Sequence, residues 1–262
     1  MTGFIGGGNM AQALIKGMTS HGMKDIFVSE PTEEKRRQLE RTYGIRTTGS
    51  NIDVASACDI IILAVKPQNM EEVTDEISEV VTEEKTVVSI AAGITLSYLG
   101  AKLRTKKLIR VMPNTPAIVQ EGMSVISLCD CSYGREVDIV KSILMSVGRV
   151  ISLPERYMDA VTALSGSGPA FIALFVEGLT ESGTAMGIGR ADAAALAVQT
   201  LLGTAKLLDT GMSPEKLREM VTSPGGTTAA GLKVFEERNF MSIVTGALEA
   251  ARRRAEELGR RE

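Results

Sequence analysis

Apolar residues in the first 150 or so positions form short continuous runs, separated by stretches in which apolar residues recur every three or four positions. The run DIIILAV at 59–65 has strand length and no polar alternation, which is typical of a parallel strand buried on both faces. The sequence predicts strands at 2–5, 25–30, 45–48, 59–65, 86–91, 108–112, 124–128 and 148–153. The stretches between them predict helices at 9–21, 31–43, 68–80, 97–102 and 135–146. This alternation predicts an α/β fold, a Rossmann-type doubly wound sheet with parallel strands.

The pattern changes after Leu153, where Ala, Leu, Gly, Met and Glu dominate and no strand is predicted. Helical spacing predicts helices at 157–186, with an interruption or close packing at 166–169, and at 192–208, 214–221, 228–237 and 241–258. We therefore expect two domains, residues 1–154 with the sheet and residues 155–262 with helices only.

The first predicted strand ends at a glycine-rich turn, Gly6-Gly7-Gly8-Asn9-Met10-Ala11, that fits the pattern G-x-G-x-x-A. In dinucleotide-binding folds the first glycine makes the tight turn, the second lets the backbone approach a pyrophosphate, and the last small residue lets the helix pack closely. The helix N-terminus adds N–H groups and a positive dipole end. Because a strand precedes the turn and a helix follows it, the pattern indicates a dinucleotide site. A merely structural tight turn is the alternative.

An acidic residue, Glu30, ends the second predicted strand, about 20 residues after the glycine turn. Its carboxylate would accept hydrogen bonds from the ribose 2′-OH of NAD(H) and repel the 2′-phosphate of NADP(H). Ser29, Thr32, Lys35 and Arg36 are near enough in sequence to hold a phosphate instead. A solvent-exposed Glu30 without a ligand is the third possibility, so the pattern leaves the cofactor open between NADH and NADPH.

A second glycine-containing segment, TSPGGTT at 222–228, precedes a predicted helix. Its glycines expose backbone N–H groups and its threonine hydroxyls can cap the helix or donate to a ligand. The segment is too short to wrap a dinucleotide and suits one carboxylate, while a capped helix start without a ligand is the alternative. Two such segments indicate a nucleotide at one and a small acid at the other.

Charge and cysteine content narrow the function classes. The net charge of −3 gives no basic field for nucleic acid or anionic lipid, no run reaches the roughly 20 apolar residues of a membrane span, and nothing resembles a signal peptide. Three cysteines, Cys58, Cys129 and Cys131, are an odd and small number that fits a reducing compartment. We therefore expect a cytoplasmic protein without a nucleic-acid or membrane partner. Cys129 and Cys131 lack a second cysteine pair, so we expect no metal site.

The single histidine, His21, constrains the chemistry. It is predicted at the far end of the first helix, away from the glycine turn, and one histidine cannot supply a metal cluster or a Ser-His-Asp set. Oxidising an alcohol generally needs a base near the hydroxyl. Hydride transfer to a C=N bond that is already protonated needs little acid–base help and fits this chain better.

Six segments resemble, in order, the pyrroline-5-carboxylate reductase family and cover nearly the whole chain: FIGGGNMA at 4–11, AVKPQ at 64–68, SIAAGIT at 89–95, RVMPNTP at 110–116, DAVTALSGSGPAF at 159–171 and TSPGGTT at 222–228. The resemblance implies reduction of 1-pyrroline-5-carboxylate to proline, the last step of proline biosynthesis, with NADPH or NADH. It also implies a homodimer with interlocked helical domains, or a ring of dimers, in which TSPGGTT faces the glycine turn of the partner chain.

The resemblance assigns site residues as well. Together with Ser29 and Glu30, the cofactor set consists of Ile5, Gly6, Gly7, Gly8, Asn9, Met10, Asn51, Ala64, Val65, Lys66, Pro67, Ala91, Ala92 and Asn114, the last near the nicotinamide. The substrate set is Glu155, Ser223, Gly225, Gly226, Thr227 and Thr228, with the Thr228 hydroxyl nearest the imine nitrogen and hence catalytic. Glu30 is a departure, because some relatives have a small polar residue there. A solvent-exposed strand-end lysine is the alternative for Lys66.

Two other functions remain as alternatives. A β-hydroxyacid dehydrogenase or a different imine reductase would share the two-domain plan, but we would expect a catalytic Lys or Asp in the helical domain in place of SPGGTT. A nucleotide-sensing interaction protein would bind the cofactor without turnover and would have no carboxylate site.

Overall fold

A computed structural model describes residues 1–129 and 134–259. The chain divides into two compact units. The first comprises Met1–Ser167 and the end of the chain from Ala250, and the second is Gly168–Glu249. The predicted domain boundary near residue 154 remains a proposal, and it lies within the first unit, directly before the 3₁₀ turn Glu155–Tyr157.

The first unit contains an eight-stranded sheet in the order β3-β2-β1-β4-β5-β6-β7-β8. All eight predicted strands are confirmed. Their bounds are β1 Thr2–Ile5, β2 Ile26–Ser29, β3 Arg46–Thr48, β4 Ile60–Leu63, β5 Thr86–Ser89, β6 Leu108–Met112, β7 Gly122–Leu128 and β8 Gly148–Ser152. The reversal of strand order on either side of β1 is the doubly wound topology that the strand–helix alternation predicted.

The expectation of parallel strands fails at one junction, so the sheet is mixed. β6 and β7 pair antiparallel, with Ile109 opposite Leu128, while the other neighbouring strands pair in parallel. The segment between β6 and β7 carries only the 3₁₀ turn Thr115–Val119. A parallel pair needs a crossover of a dozen or more residues, and this connection is too short for one.

Helices connect most of the strands. In the first unit they are α1 Asn9–Ser20, α2 Glu33–Tyr43, α3 Asn51–Ala57, α4 Met70–Ile77, α5 Leu96–Lys102, α6 Arg135–Met145 and α7 Met158–Val161, the last followed by a π turn, Thr162–Gly166. No helix was predicted at α3, which is only seven residues long. Ser50 caps it by accepting a hydrogen bond from the backbone N–H of Asp53 at 3.1 Å.

The two faces of the sheet carry separate apolar layers. Phe4 packs into one layer with Leu14 of α1, and the next residue, Ile5, packs into the other with Leu99 of α5. Successive side chains of a strand point to opposite faces, so a continuous apolar strand fills both layers. This packing fixes the carboxyl ends of the central strands, where the predicted cofactor residues lie.

The second unit is helical throughout. It contains α8 Gly168–Ala185, α9 Arg190–Asp209, α10 Pro214–Met220, α11 Thr227–Glu237 and the first half of α12 Phe240–Gly259. Few of its residues are buried: in α8 only Thr180 and Gly183 are, although the helix is strongly apolar. Phe175, Phe235 and Phe240 form an aromatic cluster and remain more than a third exposed. The single chain therefore leaves a large apolar surface on this unit uncovered.

One segment of the described chain, Glu155–Ala185, is long and apolar enough by composition to cross a membrane, and little of it is buried. The sequence contains no unbroken apolar run of that length. The segment mixes small residues such as Gly178 with Leu and Phe, so its average is apolar without a continuous run. Length and average composition alone do not distinguish a membrane span from a helix whose apolar face packs against protein.

Candidate active site

Gly6 is required by the fold of the glycine turn. Its φ is +99°, a region that L side chains rarely adopt, and a Cβ there would lie 2.8 Å from the backbone oxygen of Ala64. The N–H of Ala64 in turn donates to the oxygen of Ile5 at 2.9 Å. The first glycine thus lets the chain turn closely over the end of β4.

Gly8 is not required by the fold. Its φ of −71° suits any residue, and a Cβ built on it would have no neighbouring atom within 4 Å. It is the N-cap of α1, whose first turn contains no acidic residue. Asn9 and Met10 form the start of this helix. The missing side chain therefore leaves open space directly in front of a helix N-terminus, which is the approach that a pyrophosphate needs. The turn fits a dinucleotide.

Glu30 is buried, not solvent-exposed. Its Oε2 accepts a hydrogen bond from the N–H of Gly7 at 3.3 Å, and its Oε1 accepts one from the N–H of Thr32 at 3.1 Å. The carboxylate therefore joins the end of β2 to the middle of the glycine turn. Sequence reasoning placed Glu30 near the ribose but did not show this contact, because Gly7 is 23 residues away.

Arg36 lies beside Glu30. Its Nη1 donates to the backbone oxygens of Glu30 at 2.7 Å and Pro31 at 2.8 Å, and it stands close to Gly49 after β3. Ser29, also buried, donates through its hydroxyl to Oδ1 of Asn51 at 2.7 Å.

Asn51 extends this network, since its Nδ2 donates to Oε2 of Glu76 at 2.6 Å. The predicted cofactor residues Ser29, Glu30 and Asn51 are therefore brought together at the ends of β2 and β3.

The remaining predicted cofactor residues follow β4, β5 and β6. Ala64, Val65, Lys66 and Pro67 come directly after β4, where Lys66 is exposed and precedes the 3₁₀ turn Pro67–Asn69. Ala91 and Ala92 follow β5. Because β1, β2, β4 and β5 are parallel, these residues lie at the same edge of the sheet as the glycine turn.

Asn114 has a structural role that the sequence did not reveal. Its Oδ1 accepts a hydrogen bond from the N–H of Met123 at 2.8 Å, and its Nδ2 donates to the hydroxyl of Ser165 at 3.2 Å. The side chain thus joins the segment after β6 to the start of β7 and to the π turn. Its predicted position near the nicotinamide stays a prediction.

Sequence reasoning also missed an ion-pair cluster around Arg110 of β6. Arg110 is buried, and its guanidinium lies 3.2 Å from Oε1 of Glu155 and 3.3 Å from Oδ1 of Asp159. The only advance signal was a basic residue inside a strand otherwise apolar and buried, since an unpaired charge there would be costly.

In the second unit, the TSPGGTT segment forms the loop before α11. Gly225 has a φ of +70°, and Gly226 is the N-cap of the helix and donates its N–H to the oxygen of Ser223 at 3.0 Å. Thr227 and Thr228 occupy the first turn, which contains no acidic residue. Within the described residues neither hydroxyl has a hydrogen-bond partner in the protein, so both are available to a ligand. The geometry is compatible with the anion site that the sequence predicts, and that site stays a prediction.

The candidate metal and histidine residues add nothing to the site. Cys131 lies outside the described residues. No group of ligands that could hold a metal occurs among the residues that the structure does describe. His21 follows α1 at its C-terminal end, where its Nδ1 lies 2.9 Å from the oxygen of Gly17, away from the glycine turn as predicted.

Comparisons with known proteins agree with this arrangement. A family model described as pyrroline-5-carboxylate reductase dimerisation matches residues 155–258, and one described as NADP oxidoreductase coenzyme F420-dependent matches residues 1–93. The chain is 40% identical to a pyrroline-5-carboxylate reductase of Synechocystis over 99% of this chain and 98% of the relative. A solved pyrroline-5-carboxylate reductase of Coxiella burnetii has a TM-score of 0.91 at 35% identity, covering 99% of this chain and 98% of that one.

A second solved structure, the Plasmodium falciparum pyrroline carboxylate reductase with NADP bound, has a TM-score of 0.89 at 30% identity and covers 98% of this chain and 97% of that one. These likenesses extend over both the sheet and the helical unit. The chain belongs to the pyrroline-5-carboxylate reductase family.

Proposed function

We propose that this protein reduces 1-pyrroline-5-carboxylate to L-proline with NADPH or NADH, as the final step of proline biosynthesis. The observation that carries the proposal is the open space at Gly8, which the fold does not need and a dinucleotide does. Family membership supports the substrate. A nicotinamide cofactor, when bound, supplies the hydride.

The chain's own groups bind and orient the reactants. The hydride bonds to the imine carbon while the C=N electron pair moves to the nitrogen, which already carries a proton. No side chain has to remove a proton in this step, which agrees with the position of His21 away from the glycine turn. Catalysis then comes from orientation and from a polar site that holds the substrate carboxylate.

We assign the substrate carboxylate to the first turn of α11. The N–H groups and hydroxyls of Thr227 and Thr228 face no protein partner in the described chain, and the helix dipole favours an anion there. Ser223, Gly225 and Gly226 shape the loop that presents them. We further assign to the Thr228 hydroxyl the hydrogen bond to the ring nitrogen.

We also propose that the protein is a homo-oligomer built from dimers, in the cytoplasm. The uncovered apolar helices of the second unit support a dimer, and the family model that matches residues 155–258 is one for dimerisation. The small and odd number of cysteines, three in the whole chain, supports a reducing location.

The decisive experiment measures reductant oxidation by the purified protein with 1-pyrroline-5-carboxylate, with NADH and NADPH in parallel. We expect turnover with at least one reductant and proline as the product. Turnover of a 2- or 3-hydroxy acid with NAD⁺ or NADP⁺ instead would favour the hydroxyacid dehydrogenase alternative. Cofactor binding without turnover of any of these substrates would favour the sensing protein.

A further inference from the structure

Glu155 joins three segments of the first unit. Its Oε1 accepts a hydrogen bond from the N–H of Leu96 at 2.7 Å and another from Nη1 of Arg110 at 3.2 Å. Leu96 is the first residue of α5, Arg110 lies in β6, and Glu155 itself begins the 3₁₀ turn before α7. One carboxylate oxygen therefore holds a helix start, a strand and a turn in fixed positions.

Arg110 anchors this arrangement. Its side chain is only 5% exposed, and a buried guanidinium requires anionic partners. It has two, Glu155 and Asp159, each about one-third exposed. Of the hydrogen bonds among the described residues, the one to α5 is made by Glu155. The two carboxylates therefore balance the same buried charge, and Glu155 also holds the first residue of α5.

The loop at 91–95 follows β5 and begins at the same edge of the sheet as the glycine turn. The start of α5 fixes the end of this loop. The beginning of this loop is held by Ser89, whose hydroxyl accepts the N–H of Ala91 at 3.3 Å. Its end is held by Glu155 through Leu96. The loop contains Ala91 and Ala92, which belong to the proposed cofactor set. In a doubly wound sheet the loops after the strands on this side line one half of the dinucleotide crevice.

We propose that Glu155 is a positioning residue for the cofactor. By holding the first turn of α5, it fixes the loop at 91–95 in the conformation that receives the dinucleotide, and it makes no contact with the substrate. The inference rests on the proposed function. It gives Glu155 a different role from the substrate contact that the family resemblance implies.

The test compares Glu155→Ala, Glu155→Gln and Asp159→Asn. The dissociation constants of NADPH and NADH are measured from the fluorescence of the bound nicotinamide, without substrate. We expect Glu155→Ala to weaken the cofactor that the wild type prefers by about tenfold or more, the effect of losing a hydrogen bond to a charged group. The KM for 1-pyrroline-5-carboxylate, at saturating cofactor, should change by about twofold at most.

The other two variants distinguish the hydrogen bond to Leu96 from the negative charge that balances Arg110. Glu155→Gln keeps an acceptor oxygen for Leu96, so its cofactor affinity should stay within about threefold of the wild type. Asp159→Asn removes one charge from Arg110 without touching Leu96. It should lower the melting temperature and leave the cofactor affinity within about twofold.

Three outcomes would overturn the proposal. A raised substrate KM with unchanged cofactor affinity in Glu155→Ala would make Glu155 a substrate ligand. Equal losses of cofactor affinity in Glu155→Ala and Asp159→Asn would assign the effect to charge balance. Unchanged cofactor affinity in a folded Glu155→Ala would make Glu155 purely structural.

If Glu155→Ala does not fold, Glu155→Asp replaces it, because a shorter carboxylate keeps the charge but loses the reach to Leu96. The cofactor should again bind about tenfold more weakly, and wild-type affinity would overturn the proposal. Because cofactor affinity is measured without substrate, the two proposals can fail separately. A wild-type protein that does not reduce 1-pyrroline-5-carboxylate would refute the proposed function, but the cofactor affinities would still test the role of Glu155.

Discussion

The carboxylate of Glu30 accepts a hydrogen bond from the backbone N–H of Gly7 at 3.3 Å. The acid predicted to contact the cofactor ribose thus also supports the turn that is proposed to face the pyrophosphate. Its second oxygen accepts the N–H of Thr32. An ionised carboxylate has about four lone-pair sites, so both contacts leave capacity for a ribose hydroxyl. Removing the carboxylate should therefore affect two parts of the cofactor site at once.

We expect Glu30→Ser to shift the cofactor preference towards NADPH. Losing the charge removes repulsion of a 2′-phosphate, while losing the acceptor weakens both the turn and any contact to the ribose of NADH. The dissociation constant of NADH should rise about tenfold and that of NADPH by about threefold at most, measured by fluorescence titration.

The control for this prediction is Glu33→Ser, which makes the same change of charge at an exposed residue that forms an ion pair with Arg37. Its effect on both affinities should be small, since exposed ion pairs contribute little. An unchanged NADPH-to-NADH ratio in Glu30→Ser would limit Glu30 to supporting the turn.

Gly8→Val should fold normally and lose the cofactor. Its φ is compatible with valine and its Cβ would meet no protein atom, so the free energy of unfolding should fall by about 1 kcal/mol at most. The branched side chain would stand where the pyrophosphate approaches, and the affinity for both cofactors should drop about a hundredfold or more.

Gly6→Ala makes the matched comparison. At a φ of +99° and with the oxygen of Ala64 2.8 Å from the new Cβ, this variant should lose about 2 kcal/mol or more of stability. Chemical denaturation of both variants checks the difference. Normal cofactor binding by Gly8→Val would refute the assignment of the turn.

Hydrophobic patterning predicted the centre of the sheet well because β1, β2, β4 and β5 are buried along their whole length and are largely apolar. It could not give the direction of β7, since an apolar run looks the same in either direction. The short connection after Met112, without a predicted helix, was the available signal for an antiparallel pair. The short helix α3 escaped because seven residues give too little periodicity.

The site was less predictable than the fold. The pattern G-x-G-x-x-A separated the roles of Gly6 and Gly8, and the backbone dihedrals and the surrounding space agree with that division. The contacts of Arg110 with Glu155 and Asp159 join residues more than 40 positions apart. Pairings of that kind depend on how the strands and turns pack, which local patterns do not contain.

Thr228→Ala should lower kcat while leaving the affinity for the cofactor unchanged. The variant removes a hydroxyl that has no protein partner in the described chain and that we assign to the substrate ring, so the loss should reach about tenfold to a hundredfold. Thr228→Ser keeps the hydroxyl and should retain most of the rate. Thr222→Ala is the control, because its hydroxyl donates to the oxygen of Arg218 at 2.6 Å and is already used. A wild-type kcat in Thr228→Ala would remove Thr228 from the active site.

Leu174→Glu should dissociate the dimer. Leu174 lies on α8 and is 67% exposed in the single chain, within the apolar surface that we assign to the interface. Burying a carboxylate there without a partner is costly, so the dimer dissociation constant should rise about a hundredfold or more. Analytical ultracentrifugation over a range of concentrations measures the change.

Met145→Glu is the control for this interface variant. Met145 is similarly exposed but lies on α6 of the first unit, so its substitution should leave the sedimentation coefficient unchanged. Circular dichroism of both variants verifies that the helices persist. A dimer of wild-type strength in Leu174→Glu would place the interface elsewhere.

Above pH 9, Cys58 should make the protein less stable. Burial raises the pKa of its thiol from 9.0 to about 11. A raised folded-state pKa contributes stability that is fully present below pH 9 and is lost as the pH rises towards 11, because the unfolded thiol ionises first. Two pKa units correspond to about 2–3 kcal/mol.

Urea denaturation of wild type and Cys58→Ala at pH 8 and pH 11 should therefore show a stability difference that shrinks by this amount. Cys129→Ala, a substitution at a partly exposed thiol, should follow the wild type. An equal pH dependence in wild type and Cys58→Ala would show that the buried thiol does not contribute.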